Sequence, residues 1–220
     1  MSASASLSVD KVARKRGPKA DASKARILEE AAKIFGELGY AGTTLRAVAQ
    51  AAGIEAGSIY YHYKSKEELI EAVLMHGLAD AMRSVSDAIA GLAQPATATA
   101  RLHAAIGAHL ASILTLGSFT LASRRVLGQV PASVHTRHVA RQARYGRMLT
   151  SLIQQGIENG EFRAGIDARR ACLFILGGVN WVVEWRRDDR DSVASLTEEF
   201  ADYVLHGLSA GARDPAHIVL

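Results

Sequence analysis

From Ser23 to about Ser209, apolar side chains recur every three or four residues, and the pattern breaks only at glycines, prolines and capping residues. Ile27, Leu28, Ala31, Ile34, Phe35 and Leu38 form one such stripe, and Gly39 ends it. No run alternates apolar and polar residues as a half-buried strand would, and no hairpin signal is present. The spacing therefore predicts an all-α chain of about nine helices.

Thr43 is placed to cap a short second helix carrying Leu45, Val48 and Ala49, and a third short helix is expected over 54–62. Ser65-Lys66-Glu67-Glu68 reads as a capping box that opens a long helix to about Ala90. Further helices are expected over about 97–115, 119–129, 133–159, 168–187 and 192–209, the last two capped by Asp167 and Ser192. The expected division is a flexible basic arm over 1–21, a three-helix head over 22–68 and a helical body over 69–220.

Charge placement supports a head and a body. The chain carries 26 Lys+Arg and 22 Asp+Glu over 220 residues, a net charge of +4. The whole excess lies before Glu67, and so does every lysine. A basic head on a near-neutral body fits a partner with phosphate charges. The body has its own asymmetry, with no acid between Asp87 and Glu158. That stretch holds Arg101, Arg124, Arg125, Arg137, Arg141, Arg144 and Arg147. Such a region must be solvated, paired with acids from elsewhere, or offered to an anion.

Other classes find little support. The single cysteine, Cys172, lies on an apolar helix face and reads as an inert core residue. No nucleophile elbow, dinucleotide fingerprint or phosphate loop occurs, so neither catalytic residues nor a cofactor are expected. His135 and His138 have no nearby acid in sequence and read as solvated or phosphate-facing, so no metal site is expected. The N-terminus lacks an apolar signal segment, and the most apolar run is too short for a bilayer. A cytoplasmic protein without membrane contact is expected.

Leu45 to Lys64 carries the features of a helix-turn-helix: small Ala49 where two helices would cross, Gly53 at the turn, and Ile54 and Ile59 for packing. An ordinary helical hairpin needs the same residues. The surroundings favour DNA: seven Lys/Arg lie between Lys11 and Arg26, and the motif closes on Tyr60-Tyr61-His62-Tyr63-Lys64.

These residues resemble the DNA-binding domain of the TetR family of bacterial repressors. The matching stretches are Phe35-Gly36-Glu37-Leu38-Gly39-Tyr40, Thr43-Thr44-Leu45-Arg46, Ala51-Ala52-Gly53, Gly57-Ser58-Ile59-Tyr60-Tyr61-His62-Tyr63 and Lys66-Glu67-Glu68-Leu69. The resemblance implies that Thr43 and Thr44 touch phosphate and that Arg46 reaches the groove. It also implies that Tyr60, Tyr61 and His62 bond phosphates, and that Lys64 and Lys66 neutralise them. Tyr63 is expected in the core. Two departures stand out. Glu55 occupies a position where Ser or Thr commonly caps the recognition helix. Ala56 and Ser58 at its start can read little beyond a thymine methyl or one hydrogen bond. Specificity then leans on Arg46, on DNA shape and on the arm. Arg14 and Arg16, beside Gly17-Pro18, either enter a narrow minor groove or add only counterion-release affinity.

The resemblance also implies a homodimer on a double-stranded, palindromic operator, built on a four-helix bundle of the last two helices. The stripe Phe174, Gly178, Trp181 and Trp185, with Phe200, Tyr203 and Val204, would supply it. Asn180-Trp181-Val182-Val183-Glu184-Trp185 and Leu196-Thr197-Glu198-Glu199-Phe200-Ala201 resemble the subgroup that senses acyl-CoA thioesters of lipid, steroid or aromatic-acid breakdown. On that reading Arg124, Arg125 and Arg144 meet phosphate, and Asn180 and Trp181 line the ligand site. Trp181 and Trp185 serve equally well as interface anchors. The rival readings are a repressor of a drug-efflux gene and a constitutive architectural DNA-binding protein.

Overall fold

The computed structural model describes residues 18–187 and 190–209. Among them are eight α-helices and one 3-10 turn, with no strand beyond an isolated bridge between Phe162 and Ser209. The third short helix expected over 54–62 is only that turn, Ser58–Tyr61.

The first helix, α1 (Pro18–Gly42), bends at Gly39, whose φ of 70° is a left-handed conformation that glycine adopts without steric cost. The helix after it, α2 (Leu45–Ala51), is capped by Thr44, whose hydroxyl accepts from the Ala47 amide. Thr43, the expected cap, is buried instead and donates its hydroxyl to the Gly39 carbonyl at 2.7 Å. The two adjacent threonines thus divide the work: one closes the corner and the other caps. Next comes α3 (Lys66–Ala90), where Ser65 accepts from the Glu68 amide. Glu68 reaches back one residue further than a capping box requires, accepting from the Lys64 amide at 2.7 Å.

The body contains α4 (Ala98–Thr115), α5 (Gly117–Val126), α6 (Ala132–Glu158), α7 (Ala168–Trp185) and α8 (Val193–Leu208). Thr97, Asp167 and Ser192 cap α4, α7 and α8 through their side chains. No single helix is long and apolar enough to cross a membrane among the described residues.

Two cores form. In the body, Leu102, Ile106 and Leu110 of α4 pack with Ile153 of α6 and Val179 and Val182 of α7. In the head, Ile27 and Phe35 of α1, Val48 of α2, Ile59, and Leu69 and Val73 of α3 are fully enclosed. The second core does not stop at the head, because Phe119, Ala122 and Val126 of α5, and Val134, complete it. Gly36 lies at this contact, where a Cβ would stand 3.5 Å from the Ala122 nitrogen, an ordinary van der Waals distance. Polar bonds tie the same seam. Ser118 donates to Glu29 at 3.2 Å, and Gln129 accepts from the Tyr40 amide at 3.0 Å while donating to the Arg125 carbonyl at 2.8 Å.

Among the described residues, three of the seven arginines of the acid-free stretch, Arg124, Arg137 and Arg141, are matched by acids from other helices. Glu71 of α3 accepts from Arg137 at 2.7 and 2.8 Å and from Arg141 at 3.1 Å. The Arg137 guanidinium holds the Glu71 carboxyl below the usual range.

Candidate functional site

The helix-turn-helix is built as its spacing demands. Ala49 is fully buried where α2 meets the following segment. Gly53 turns the chain with φ 64°, and the Ile54 amide returns to the Ala49 carbonyl at 3.0 Å. Ile59 is fully buried, which anchors the 3-10 turn on the head core.

One surface then collects exposed groups: Thr44, Arg46, Gln50, Glu55, Ala56, Tyr60, Tyr61 and Lys64. Tyr61 is 82% exposed and Tyr60 52%, while Tyr63 is 2% exposed and part of the core. Ser58 and His62 are half-buried beside them. Lys64 reaches the Tyr60 carbonyl at 3.1 Å. Thr43 lies beneath this surface. Lys66 is drawn inward: its ammonium donates to the Tyr40 carbonyl at 2.9 Å and sits 4.3 Å from the Tyr40 ring centre. Tyr40 in turn donates to Glu67 at 2.6 Å. Lys66 therefore holds the α1 corner onto α3. Arg14 and Arg16 lie outside the described residues.

The body holds a cavity of about 830 Å³ between α3, α4, α5, α6 and α7, open to solvent on one side, where lining residues such as Val139, Arg147 and Leu173 are exposed. That is the range of pockets that hold drug-sized ligands. Most of its wall is apolar, and none of its lining residues is acidic. Three arginines line it: Arg124, Arg147 and Arg169. Of the sequence candidates, the cavity takes Arg124 and Asn180. Arg125 instead faces an outer groove with Arg124, Lys33, Glu37 and Glu184. Arg144 is solvent-exposed, and Trp181 lies on the outer side of α7. Arg124 bridges the two sides. Its guanidinium carbon stacks 3.9 Å from the Trp181 ring centre, and Nη1 stands 3.4 Å from Glu184.

Sequence reasoning missed Arg169, which lies outside the acid-free stretch, and a polar chain on the cavity wall. Tyr145 Oη is 2.7 Å from His109 Nδ1, and His109 Nε2 is 3.1 Å from Asn180 Oδ1. Burial pushes the His109 imidazole down to about 4, so it is neutral near pH 7. His138, expected at the surface, is buried in the cavity wall at 3% exposure; desolvation lowers its pKa as well. Periodicity holds the reason, since His138 lies four residues after buried Val134 on α6. Cys172 is buried, as expected, and burial raises its thiol pKa.

A second surface is apolar and exposed. Phe174 is 81% exposed, Tyr203 70%, Trp181 55% and Trp185 44%. Gly178 opens the same side of α7, and Phe200 and Val204 are half-buried next to it. Trp185 stacks on Phe200 with ring centres 6.4 Å apart. The opposite stripe of α7, Cys172, Ile175, Val179 and Val182, is buried within the chain.

An all-α head with a helix-turn-helix, joined to a helical body with a cavity between its helices, defines a DNA-binding transcriptional regulator. Residues 27–73 match the bacterial regulatory proteins of the tetR family, and residues 95–208 match the tetracyclin repressor-like C-terminal domain. The chain belongs to the TetR family and is a transcriptional repressor of that type. Its relatives include the HTH-type transcriptional repressor KstR2 of Rhodococcus jostii, 29% identical over 85% of this chain and 91% of its own. The ketosteroid transcriptional regulator KstR2 of Mycobacterium tuberculosis superimposes with a TM-score of 0.74 at 25% identity, covering 90% of this chain and 99% of that one. AibR, solved with isovaleryl coenzyme A and operator DNA, shares the fold with a TM-score of 0.69 at 23% identity, covering 86% and 98%.

Proposed function

We propose that this repressor binds its operator as a homodimer and is released by an acyl-CoA thioester of lipid, steroid or aromatic-acid catabolism. The observation that carries the reading is the cavity: large, mainly apolar, free of carboxylates and edged by Arg124, Arg147 and Arg169. An acyl group is favoured by the apolar wall, and phosphate charge by the arginines. The relationship to KstR2 supports a lipid or steroid setting, and the structural neighbour AibR was solved with an acyl-CoA, isovaleryl coenzyme A, and operator DNA. A cationic drug would face an arginine-edged wall with no acid to meet it, which disfavours the efflux reading.

For the operator surface we assign Thr44, Arg46, Ala56, Ser58, Tyr60, Tyr61, His62 and Lys64, with Arg14 and Arg16 from the arm. Thr43 and Lys66 act beneath it as supports: Thr43 is buried with its hydroxyl given to Gly39, and Lys66 is half-buried with its ammonium held over Tyr40. The exposed stripe Phe174, Gly178, Trp181, Trp185 and Tyr203 is the dimer face, since contiguous apolar surface of this kind is costly on a lone chain.

The route from cavity to DNA runs through two helices. In α3, Leu69 and Val73 sit in the head core, while Leu74, Leu78 and Ala81 line the cavity. Phe119 of α5 does both. A ligand that moves α5 therefore moves the head of each protomer and alters the spacing of the pair.

The test is a DNA-shift titration on the protein's own upstream region with acyl-CoA thioesters, free CoA and the matching free acids. Release by thioesters alone, lost on Arg124→Ala with DNA binding retained, is expected. A firm shift that no CoA compound disturbs refutes the effector assignment.

A further inference from the structure

The cavity wall carries a polar chain that the repressor reading leaves unused: Tyr145, His109 and Asn180, drawn from α6, α4 and α7. A neutral imidazole has one donor and one acceptor nitrogen, so only two proton arrangements are possible. In one, Tyr145 donates to His109 Nδ1, and His109 Nε2–H donates to Asn180 Oδ1. In the other, His109 Nδ1–H donates to Tyr145, and the Asn180 amide is turned round to donate to Nε2. The second leaves the Tyr145 hydroxyl hydrogen without an acceptor, because His109 is its hydrogen-bond partner among the described residues. Tyr145 is 3% exposed, so an unmet phenol donor there is costly. The first arrangement meets the Tyr145 hydroxyl hydrogen and both imidazole nitrogens. It also consumes Asn180 Oδ1 and leaves the two N–H bonds of Asn180 Nδ2 beside the cavity.

We infer that Asn180 is held by His109 and Tyr145 as a fixed N–H donor that reads a carbonyl oxygen on the effector. This deepens the acyl-CoA reading, since a thioester carries such an oxygen and free CoA lacks that thioester oxygen. It is a specificity device distinct from the arginines, which read charge. His109 is a positioning residue, for without its Nε2–H the amide is free to turn and accept instead.

Two matched pairs test it on the full chain by calorimetry. Octanoyl-CoA and its thioether analogue S-octyl-CoA differ by one carbonyl oxygen, as do propiophenone and propylbenzene. The wild-type chain is expected to prefer the carbonyl member of each pair by about tenfold, the worth of one neutral hydrogen bond. Asn180→Leu abolishes the preference. Asn180→Asp, nearly the same shape but without the donor, abolishes or reverses it, which separates the donor from packing. His109→Phe shrinks the preference by freeing the amide, and 15N spectra of the wild type show His109 protonated at Nε2. Equal affinity within the ketone pair, or a preference that survives in Asn180→Asp, overturns the assignment. If neither CoA compound binds but the ketone pair is discriminated, the donor assignment stands and the acyl-CoA reading falls.

Discussion

Replacing Phe119 with alanine probes the seam between head and body. The ring is 3% exposed, belongs to the head core and also forms part of the cavity wall. The His76 ring lies 4.7 Å from it, centre to centre, and Gly77 approaches so closely that a Cβ there would stand 3.3 Å from the Phe119 Cβ. Truncating a buried phenylalanine costs about 3–5 kcal/mol. One side of this ring already faces the cavity, so the lower figure of about 3 kcal/mol applies. For a chain of 220 residues that lowers Tm by about 6–12 °C. Urea unfolding is the assay. Both tryptophans, Trp181 and Trp185, lie on α7, so their fluorescence follows the body while far-UV circular dichroism follows every helix. A shared core requires the two signals to change together and to shift together in the variant. A loss below about 1 kcal/mol, or a head transition that separates from an unmoved tryptophan transition, refutes the shared core.

Four further outcomes follow from the geometry. Arg46→Ala weakens operator binding by about 1–3 kcal/mol and relaxes sequence preference, whereas Lys64→Ala weakens all DNA alike and lowers the salt slope by about one; fluorescence anisotropy against salt separates them. Deleting residues 1–17 lowers both affinity and salt slope, and an unchanged slope shows that the arm never meets phosphate. Phe174→Ser with Trp181→Ser shifts sedimentation toward a monomer and abolishes half-site pairing, while a dimer of unchanged affinity discards this face. Glu71 has its folded pKa depressed by Arg137 and Arg141, so its contribution is present above the ordinary value of 4.5 and fades as pH falls below it. Glu71→Gln therefore lowers Tm at neutral pH and flattens the acid limb of the Tm–pH curve, and parallel curves refute the linkage.

Much of the fold was legible because local chemistry decided it. Ser65, Asp167 and Ser192 stand at helix starts and accept amide bonds there, since a cap acts within three residues. The Thr43–Thr44 order was not legible: both can cap, and the choice falls to the tertiary corner at Gly39. The contact of Lys66 with Tyr40 was not legible for a similar reason, because the two lie 26 residues apart. In the body, composition identified an arginine-rich, acid-free region but not which arginines face inward. Arg124 lines the cavity and Arg125, its neighbour, does not, since adjacent helix residues point about 100° apart. The Tyr145–His109–Asn180 chain joins residues on three helices and leaves no local signature.

The completion of the head core by α5 limits how this repressor can be rebuilt. A chimera cut after residue 74 would keep Leu69, Ile70, Val73 and Leu74 of α3 but would transplant a reading head missing Phe119, Ala122 and Val126 from its floor. The graft would expose the apolar underside of α1 and the first turns of α3 and would aggregate or recruit a mismatched α5 from its host. A working biosensor with a borrowed operator must carry residues 117–134 along with the head, or recode the contact surface on both sides of the join. Exchange of operator preference by point changes at Arg46, Gln50 and Glu55, which touch none of that seam, is the shorter path.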